Sequence, residues 1–192
     1  SLDYELDPGQ EDVPYTVRAV DLLRGYTDVD GDTLSVVNLK ASSGELSDNG
    51  NGTWTLTPPA NFFGAVALSF DVSDGRGGRA GGNQTVVFQE VNDAPLLTGT
   101  PVQLADGTED VAYFIAAADL LAGYSDVDGD HLSIGEIHCS TGVLKDNRNG
   151  TWTLTTPKDF YGNINLAFSI TDGRGGEARG RRFTRRGRGF GD

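Results

Sequence analysis

The sequence predicts an all-β protein of two tandem Greek-key β-sandwiches, on three observations. Short segments rich in Val, Thr, Ile and aromatic residues are divided by clusters of Asn, Asp and Gly, the punctuation of strands rather than helices. The chain also repeats itself: residues 11–78 align without a gap with 109–176, and 39 of the 68 paired positions are identical. The offset is 98 residues, the length of a whole domain and not of a solenoid turn. Finally, each copy offers about seven strands with turns every 8–12 residues, the count of a sandwich. The repeats divide the chain into 1–94 and 95–192, with 177–192 an atypical Arg- and Gly-rich end.

The elements of one copy follow in order. Tyr15–Ala19 alternates and reads as a strand. Asp21-Leu22-Leu23-Arg24-Gly25 does not alternate; Asp21 is a candidate cap for one helical turn that Gly25 ends. Thr33–Leu39 is β-rich. Glu45-Leu46-Ser47 and Thr53–Thr57 flank Asp48-Asn49-Gly50-Asn51-Gly52, a hairpin turn. Val66, Leu68, Phe70 and Val72 alternate with smaller or polar residues, as Ile164, Leu166, Phe168 and Ile170 do in the second copy, so one face of that strand is core. Asn83–Val91 closes the copy as its last strand. Trp54 and Trp152 fall at strand spacing with Leu56 and Leu154, which favours core packing over sugar stacking. Phe62-Phe63 and Phe160-Tyr161 read as a plug at the sandwich end. Asn51, Asn149 and Asn83 match the N-glycosylation pattern, but for the first two the turn already explains the Asn-Gly pair.

Composition narrows the function. A net charge of −13 argues against nucleic acid and for cations or cationic partners. One cysteine, Cys139, cannot form an internal disulfide, so stability comes from cores or metal. Cys139 aligns with Ala41, the pattern of a buried small residue. No apolar run is long enough to span a membrane. The chain opens on Ser1 without a signal peptide, and one period before Val91–Pro95 falls just upstream of it. The expectation is a piece of a longer, processed polypeptide with at least one more module on its N-terminal side.

The chemistry is concentrated in two identical acidic turns, Asp28-Val-Asp30-Gly-Asp32 and Asp126-Val-Asp128-Gly-Asp130. Three carboxylates in five residues repel one another unless neutralised, and hard oxygen ligands on a tight turn suit Ca²⁺. A solvated Asp-Gly turn is the alternative; the repetition favours the metal. An EF-hand is excluded, because its sixth position is Gly and its twelfth is Glu, whereas counting from Asp28 puts Gly at the fourth and Leu39 at the twelfth, and from Asp126 puts Ile137 at the twelfth. His131, His138 and Cys139 occur in the second copy alone and on alternating sides of a strand, which argues against zinc. No Ser/His or Cys/His constellation recurs, so no enzyme is expected.

With these residues in view the chain resembles cadherin-like repeats, of the cadherin/immunoglobulin-like fold, strung in long arrays in bacterial surface or secreted adhesins of the RTX and VCBS type. The resemblance rests on an early Glu, the Asp-x-Asp, an Asp-Gly after the penultimate strand and the Asn92-Asp93-Ala94-Pro95 linker. It implies calcium as the cofactor. It also implies as ligands Glu11 and Glu109 (the early Glu), Asp28, Asp30, Asp126 and Asp128 (the Asp-x-Asp), Asp74 and Asp172 (before Gly), and Asn92 and Asp93 in the linker. Glu11, Asn92, Asp93, Asp126, Asp128 and Asp172 are expected to gather at the joint, with Asp12 and Asp130 as additional candidates. Asp28, Asp30 and Asp74 lack an upstream linker and Glu109 a downstream partner. The Leu-Asp-Arg-Glu ligand segment of true cadherins has no counterpart.

The last 16 residues break the repeat. Val86 and Phe88 become Thr184 and Arg186, the linker becomes Gly189-Phe190-Gly191-Asp192, and six Arg stand against two acids. A basic tail that binds an anion or the acidic modules is one reading; an end without such a role is the other. Both predict a poor or missing last strand with an exposed sheet edge. The function implied is a calcium-rigidified extracellular spacer or adhesion module of a large adhesin, serving cell adhesion and biofilm. The alternative is a calcium-dependent polysaccharide-binding module; self-association between modules on facing cells is a third reading. Expected partners are neighbouring repeats and a polysaccharide or cell-surface ligand, with no nucleic acid, no membrane insertion and a monomeric state. The expected location is the bacterial surface or the secreted fraction.

Overall fold

The structure, a computed structural model, describes residues 5–188. The chain divides into two compact units, 1–91 and 92–192. In the first, β1 (Gly9–Gln10), β2 (Tyr15–Arg18), a helical turn α1 (Ala19–Leu22), β3 (Ser35–Ala41), β4 (Glu45–Asp48), β5 (Thr53–Thr57), β6 (Gly64–Ser73) and β7 (Arg79–Gln89) follow in order. They form one sheet of order β1-β7-β6-β3 and another of order β2-β5-β4. All pairings are antiparallel except β1 on β7. The period of two decides which residues enter the core. Val66, Leu68, Phe70 and Val72 of β6 are buried and meet Val17, Leu22, Leu56, Val86 and Phe88.

The second unit repeats this plan. Its elements are β8 (Leu96–Leu97), β9 (Gly107–Thr108), β10 (Tyr113–Ala116), α2 (Ala117–Leu121), β11 (Tyr124–Ser125), β12 (Ser133–Cys139), β13 (Val143–Asp146), β14 (Thr151–Thr155), β15 (Gly162–Thr171) and β16 (Glu177–Gly187). Sheets of order β12-β15-β16-β9 and β10-β14-β13 enclose Ile115, Leu120, Trp152, Leu154, Ile164, Leu166, Phe168 and Ile170. The small β8–β11 ladder adds two strands beyond the seven of the first unit. Trp152 is buried and Trp54 half-buried against its own core, as their strand spacing predicts. Phe62 and Phe160 pack on the cores while Phe63 and Tyr161 face outward, so one ring of each pair plugs the sandwich.

Three expectations are corrected. Asp21 is not a helix cap: Arg18 occupies that position without a side-chain cap, and Asp21 sits in the first turn, bonded to Arg24 at 2.8 Å. The closing strand of the first unit starts at Arg79, not Asn83, because Gly78 ends the preceding turn and every residue from Arg79 to Phe88 finds a partner on β6. The third correction is the largest. β16 is neither poor nor missing; it runs eleven residues and pairs with β15 from Thr171↔Glu177 to Gly162↔Arg186.

The reason lies in register. Arg182, Thr184 and Arg186 take the inward places of Gln84, Val86 and Phe88, and all three are buried. Each guanidinium finds an aromatic face and backbone carbonyls, and its stem packs as hydrocarbon. Arg182 lies 5.6 Å from the Phe168 ring and 5.7 Å from that of Tyr124, and donates to the Leu120 and Ala122 carbonyls at 3.0 Å. Arg186 lies 4.9 Å from the Tyr113 ring and donates to the Val111 carbonyl at 3.1 Å. Gly107 makes room: a Cβ there would collide with the Arg186 guanidinium. Gly9 does the same for Phe88, whose ring would lie 2.8 Å from such a Cβ. The segment Gly189–Asp192, expected in place of a linker, lies outside the described residues.

Candidate metal centre

The acidic turn of the second unit follows α2 and β11. Asp126 starts it: its Oδ1 accepts the Asp128 N–H at 3.0 Å and the Asp130 N–H at 3.4 Å, so the side chain folds the loop around itself. Gly129 takes φ +79°, a left-handed conformation that a side chain would oppose. The turn brings carboxylate oxygens of Asp126, Asp128 and Asp130 within 4.8 Å of one another. Asp28 builds the same loop through the Asp30 and Asp32 N–H groups at 2.8 and 3.0 Å. Among the described residues, however, the first unit's three acids do not converge as a metal group.

Two further segments complete the second unit's set. The linker lies against the acidic turn, and Asp128 Oδ2 accepts the Asp93 N–H at 2.8 Å. Asn92 donates its amide to Asp172 Oδ2 at 2.7 Å. Asp172 opens the turn between β15 and β16 and is nearly buried, accepting the N–H groups of Arg174, Gly175 and Gly176 at 2.7–3.0 Å. The Asn92 amide, aided by those N–H groups against the opposing effect of burial, holds the Asp172 carboxyl below the ordinary carboxylate range. It therefore stays ionised at neutral pH.

Asn92, Asp93, Asp126, Asp128 and Asp172 are thus linked by hydrogen bonds within one unit. Asn92 Oδ1 and Asp126 Oδ2 are buried without a hydrogen-bond donor. Buried oxygens left in that state cost about 1–3 kcal/mol each unless something satisfies them. A hard cation is what such acceptor-only oxygens bind. Of the remaining candidates, Glu11 is buried in the first unit; its Oε1 accepts the Val91 N–H, while Oε2 is buried without a donor. Glu109 is half-buried at the matching place. Asp74 accepts the Arg76 and Gly78 N–H groups at 2.7 and 2.9 Å, the same loop as at Asp172 but more exposed. Asp130 pairs its Oδ2 with Arg174 at 3.2 Å, which partly neutralises it. Asp12 is engaged elsewhere: at φ +59°, its Oδ1 accepts the Asn61 N–H at 2.8 Å, and Asp110 does the same for Asp159 at 2.9 Å. These ties cross 49 residues, and sequence reading missed them; the shared Glu-Asp pair was their only trace.

The family that matches is the cadherin-like domain, over residues 1–89 and again over 91–184. No curated protein matches. Among solved structures the chain is similar to the human desmocollin-1 ectodomain, with 14% identity over 97% of this chain and 39% of that one and a TM-score of 0.40. It is similar to Sidekick-1 immunoglobulin domains 1–4, with 13% identity, 95% and 48% coverage and a TM-score of 0.41. The endo-fucoidan hydrolase MfFcnA4 of glycoside hydrolase family 107 is similar at 20% identity, 99% and 28% coverage and a TM-score of 0.36. The chain spans 28–32% of the length of the three fucoidan hydrolases it matches. Matched twice along almost its whole length, the chain belongs to the cadherin-like domain family as a tandem pair.

Proposed function

We propose that the second module binds Ca²⁺ through Asn92, Asp93, Asp126, Asp128 and Asp172, and that the pair serves as a calcium-stiffened spacer or adhesion module of a large extracellular bacterial adhesin. The observation that carries this is the pair of buried oxygens without donors, Asn92 Oδ1 and Asp126 Oδ2, beside a three-carboxylate turn. The ion would supply the positive charge that these oxygens lack. The linker is held from both sides: Val91 by Glu11 in the first module, Asn92 and Asp93 by Asp172 and Asp128 in the second. A cation shared by linker and acidic turn removes freedom from the hinge residues themselves. Asp28, Asp30 and Asp74 of the first module would bind more weakly, since Asp30 and Asp74 are more exposed than Asp128 and Asp172 and, among the described residues, the first module's acidic turn does not converge as a metal group. A sugar-stacking role for Trp54 and Trp152 is disfavoured, since both pack on the cores.

The test is calcium titration by calorimetry together with thermal unfolding in calcium and in excess chelator, on the native chain and Asp128→Asn. Saturable binding with a raised midpoint, both reduced in the variant, supports the site. No binding heat and no shift at millimolar calcium would make the acidic turns ordinary solvated loops.

A further inference from the structure

We propose that the outer face of the second module's β12-β15-β16 sheet binds an anionic polysaccharide, with Arg181 and Arg185 holding the anions and Phe183 between them. The same register that buries Arg182, Thr184 and Arg186 turns Arg179, Arg181, Phe183 and Arg185 outward, and all four are exposed. Across the ladder stand Ser169, Ala167, Asn165 and Asn163 in turn. The first module, with the same backbone, carries Gly81, Asn83, Thr85 and Val87 on β7 at these places, opposite Asp71, Ser69, Ala67 and Ala65. Where the first module's last strand carries one outward cation, Arg79, ion-paired with Asp71 at 3.7 Å, the second module's carries a row of three, and two alanines opposite have become amides.

A shallow groove of about 920 Å³ runs along this face past His138, Ala167, Arg179 and Arg181, and a second of about 400 Å³ lies between Asn165, Arg181 and Phe183. Glu136 and Glu177 border the Arg179 end, which places the anion-binding pair at Arg181 and Arg185. Planar guanidinium forks match sulfate and carboxylate geometry. The Asn amides offer donors and acceptors to hydroxyl groups, and the Phe183 ring, 55% exposed, offers an apolar face to a sugar ring.

The spacing selects the polymer. Alternate strand residues lie about 7 Å apart, so Arg181 and Arg185 stand about 14 Å apart. Such sparse charge suits a chain with one anion per sugar or two. A nucleic acid, with a charge per ~1.7 Å of duplex, would present many more anions than the few cations of this face can meet. A protein interface needs an apolar centre within roughly 1,000 Å² or more, and Phe183 is the one large apolar side chain among the outward residues of β15 and β16.

The experiment measures binding of the full chain to dextran sulfate, alginate and neutral dextran, in excess chelator and at low salt. Chelation keeps it separate from the calcium site. The variants are Arg181→Gln/Arg185→Gln, Phe183→Ser, and Arg24→Gln/Lys40→Gln, which removes equal charge from the first module; unchanged thermal midpoints establish that each folds. Expected is binding to a charged polymer and not to dextran, weakened about tenfold or more by the Arg181/Arg185 pair and by salt, and little by the distant pair. A preference for dextran sulfate over alginate assigns sulfate; the reverse assigns carboxylate. Equal binding by native chain and Arg181/Arg185 variant, or equal binding to neutral dextran, overturns the proposal. So does tighter binding to a poly-thymidine strand, or self-association lost in that variant without polysaccharide binding.

Discussion

Arg186→Phe should stabilise the second module. Arg186 is 1% exposed, and among the described residues no carboxylate pairs with it. Burial pushes its guanidinium below its ordinary pKa, yet an arginine stays protonated. The substitution gives up the bond to the Val111 carbonyl, about 1.5–3 kcal/mol for a charged donor, and the Tyr113 stacking, about 0.5–2 kcal/mol. It removes a desolvation cost of several kcal/mol and an orphaned Nε–H of about 1–3 kcal/mol. It also adds about 1.5–3 kcal/mol of apolar burial. The first module shows the ring fits: Phe88 makes edge contacts with Tyr15 and Phe62 at centroid distances of 6.1 and 6.5 Å, and Tyr113 and Phe160 stand ready at the equivalent places. The net gain is about 1–3 kcal/mol, or roughly 5–15 °C in the midpoint of a domain this size. Denaturant unfolding monitored on the second module is the assay, with Arg186→Ala losing about 2–4 kcal/mol as its companion. If Arg186→Phe lowers stability by more than about 1 kcal/mol, the carbonyl and ring contacts outweigh desolvation and the reasoning fails.

Excess calcium should stabilise the native chain by about 2.7 kcal/mol at a hundredfold excess over Kd, with Asp128→Asn losing most of that in a midpoint comparison. Leu154→Ala, at a fully buried position, should cost about 2–5 kcal/mol by denaturant titration. Asp110→Ala removes the bond to the Asp159 N–H and puts alanine at φ +60°, a loss of about 1–3 kcal/mol. Faster hydrogen exchange at the Asp159 amide would report it.

What the sequence made legible was local or repeated. The alternation of Val66 to Val72 and Ile164 to Ile170 predicted the central strands because a buried face imposes a period of two. The acidic turn was legible because Asp126, Asp128 and Asp130 are neighbours in the chain. The engagement of the linker with it followed only from a family resemblance, since Asn92 and Asp172 lie 80 residues apart. The tie between Asp12 and the Asn61 N–H was illegible for the same reason, since its partner lies 49 residues away. On β16 the error was to read polarity as exposure. Ten residues of β15 offer a ladder, and register fixed which side chains entered the core before their chemistry counted. The aromatic rings of Tyr113, Tyr124 and Phe168 were already there to receive a guanidinium.

Net charge, for its part, averages over distances at which charges no longer interact. Arg185 faces Asn163, nine residues along β15 from Asp172, a separation of about 30 Å; Arg181 is about 17 Å away by the same count. Both exceed the ~8 Å over which exposed charges act at physiological salt. The acidic cluster at one end of β15 therefore neither cancels nor recruits the arginines towards the other end. A total of −13 points to cations as the partner class, and the acidic turn is where three of the carboxylates converge. Along β16 the local sign is opposite, and an anionic chain approaching there meets the arginines before it meets the average.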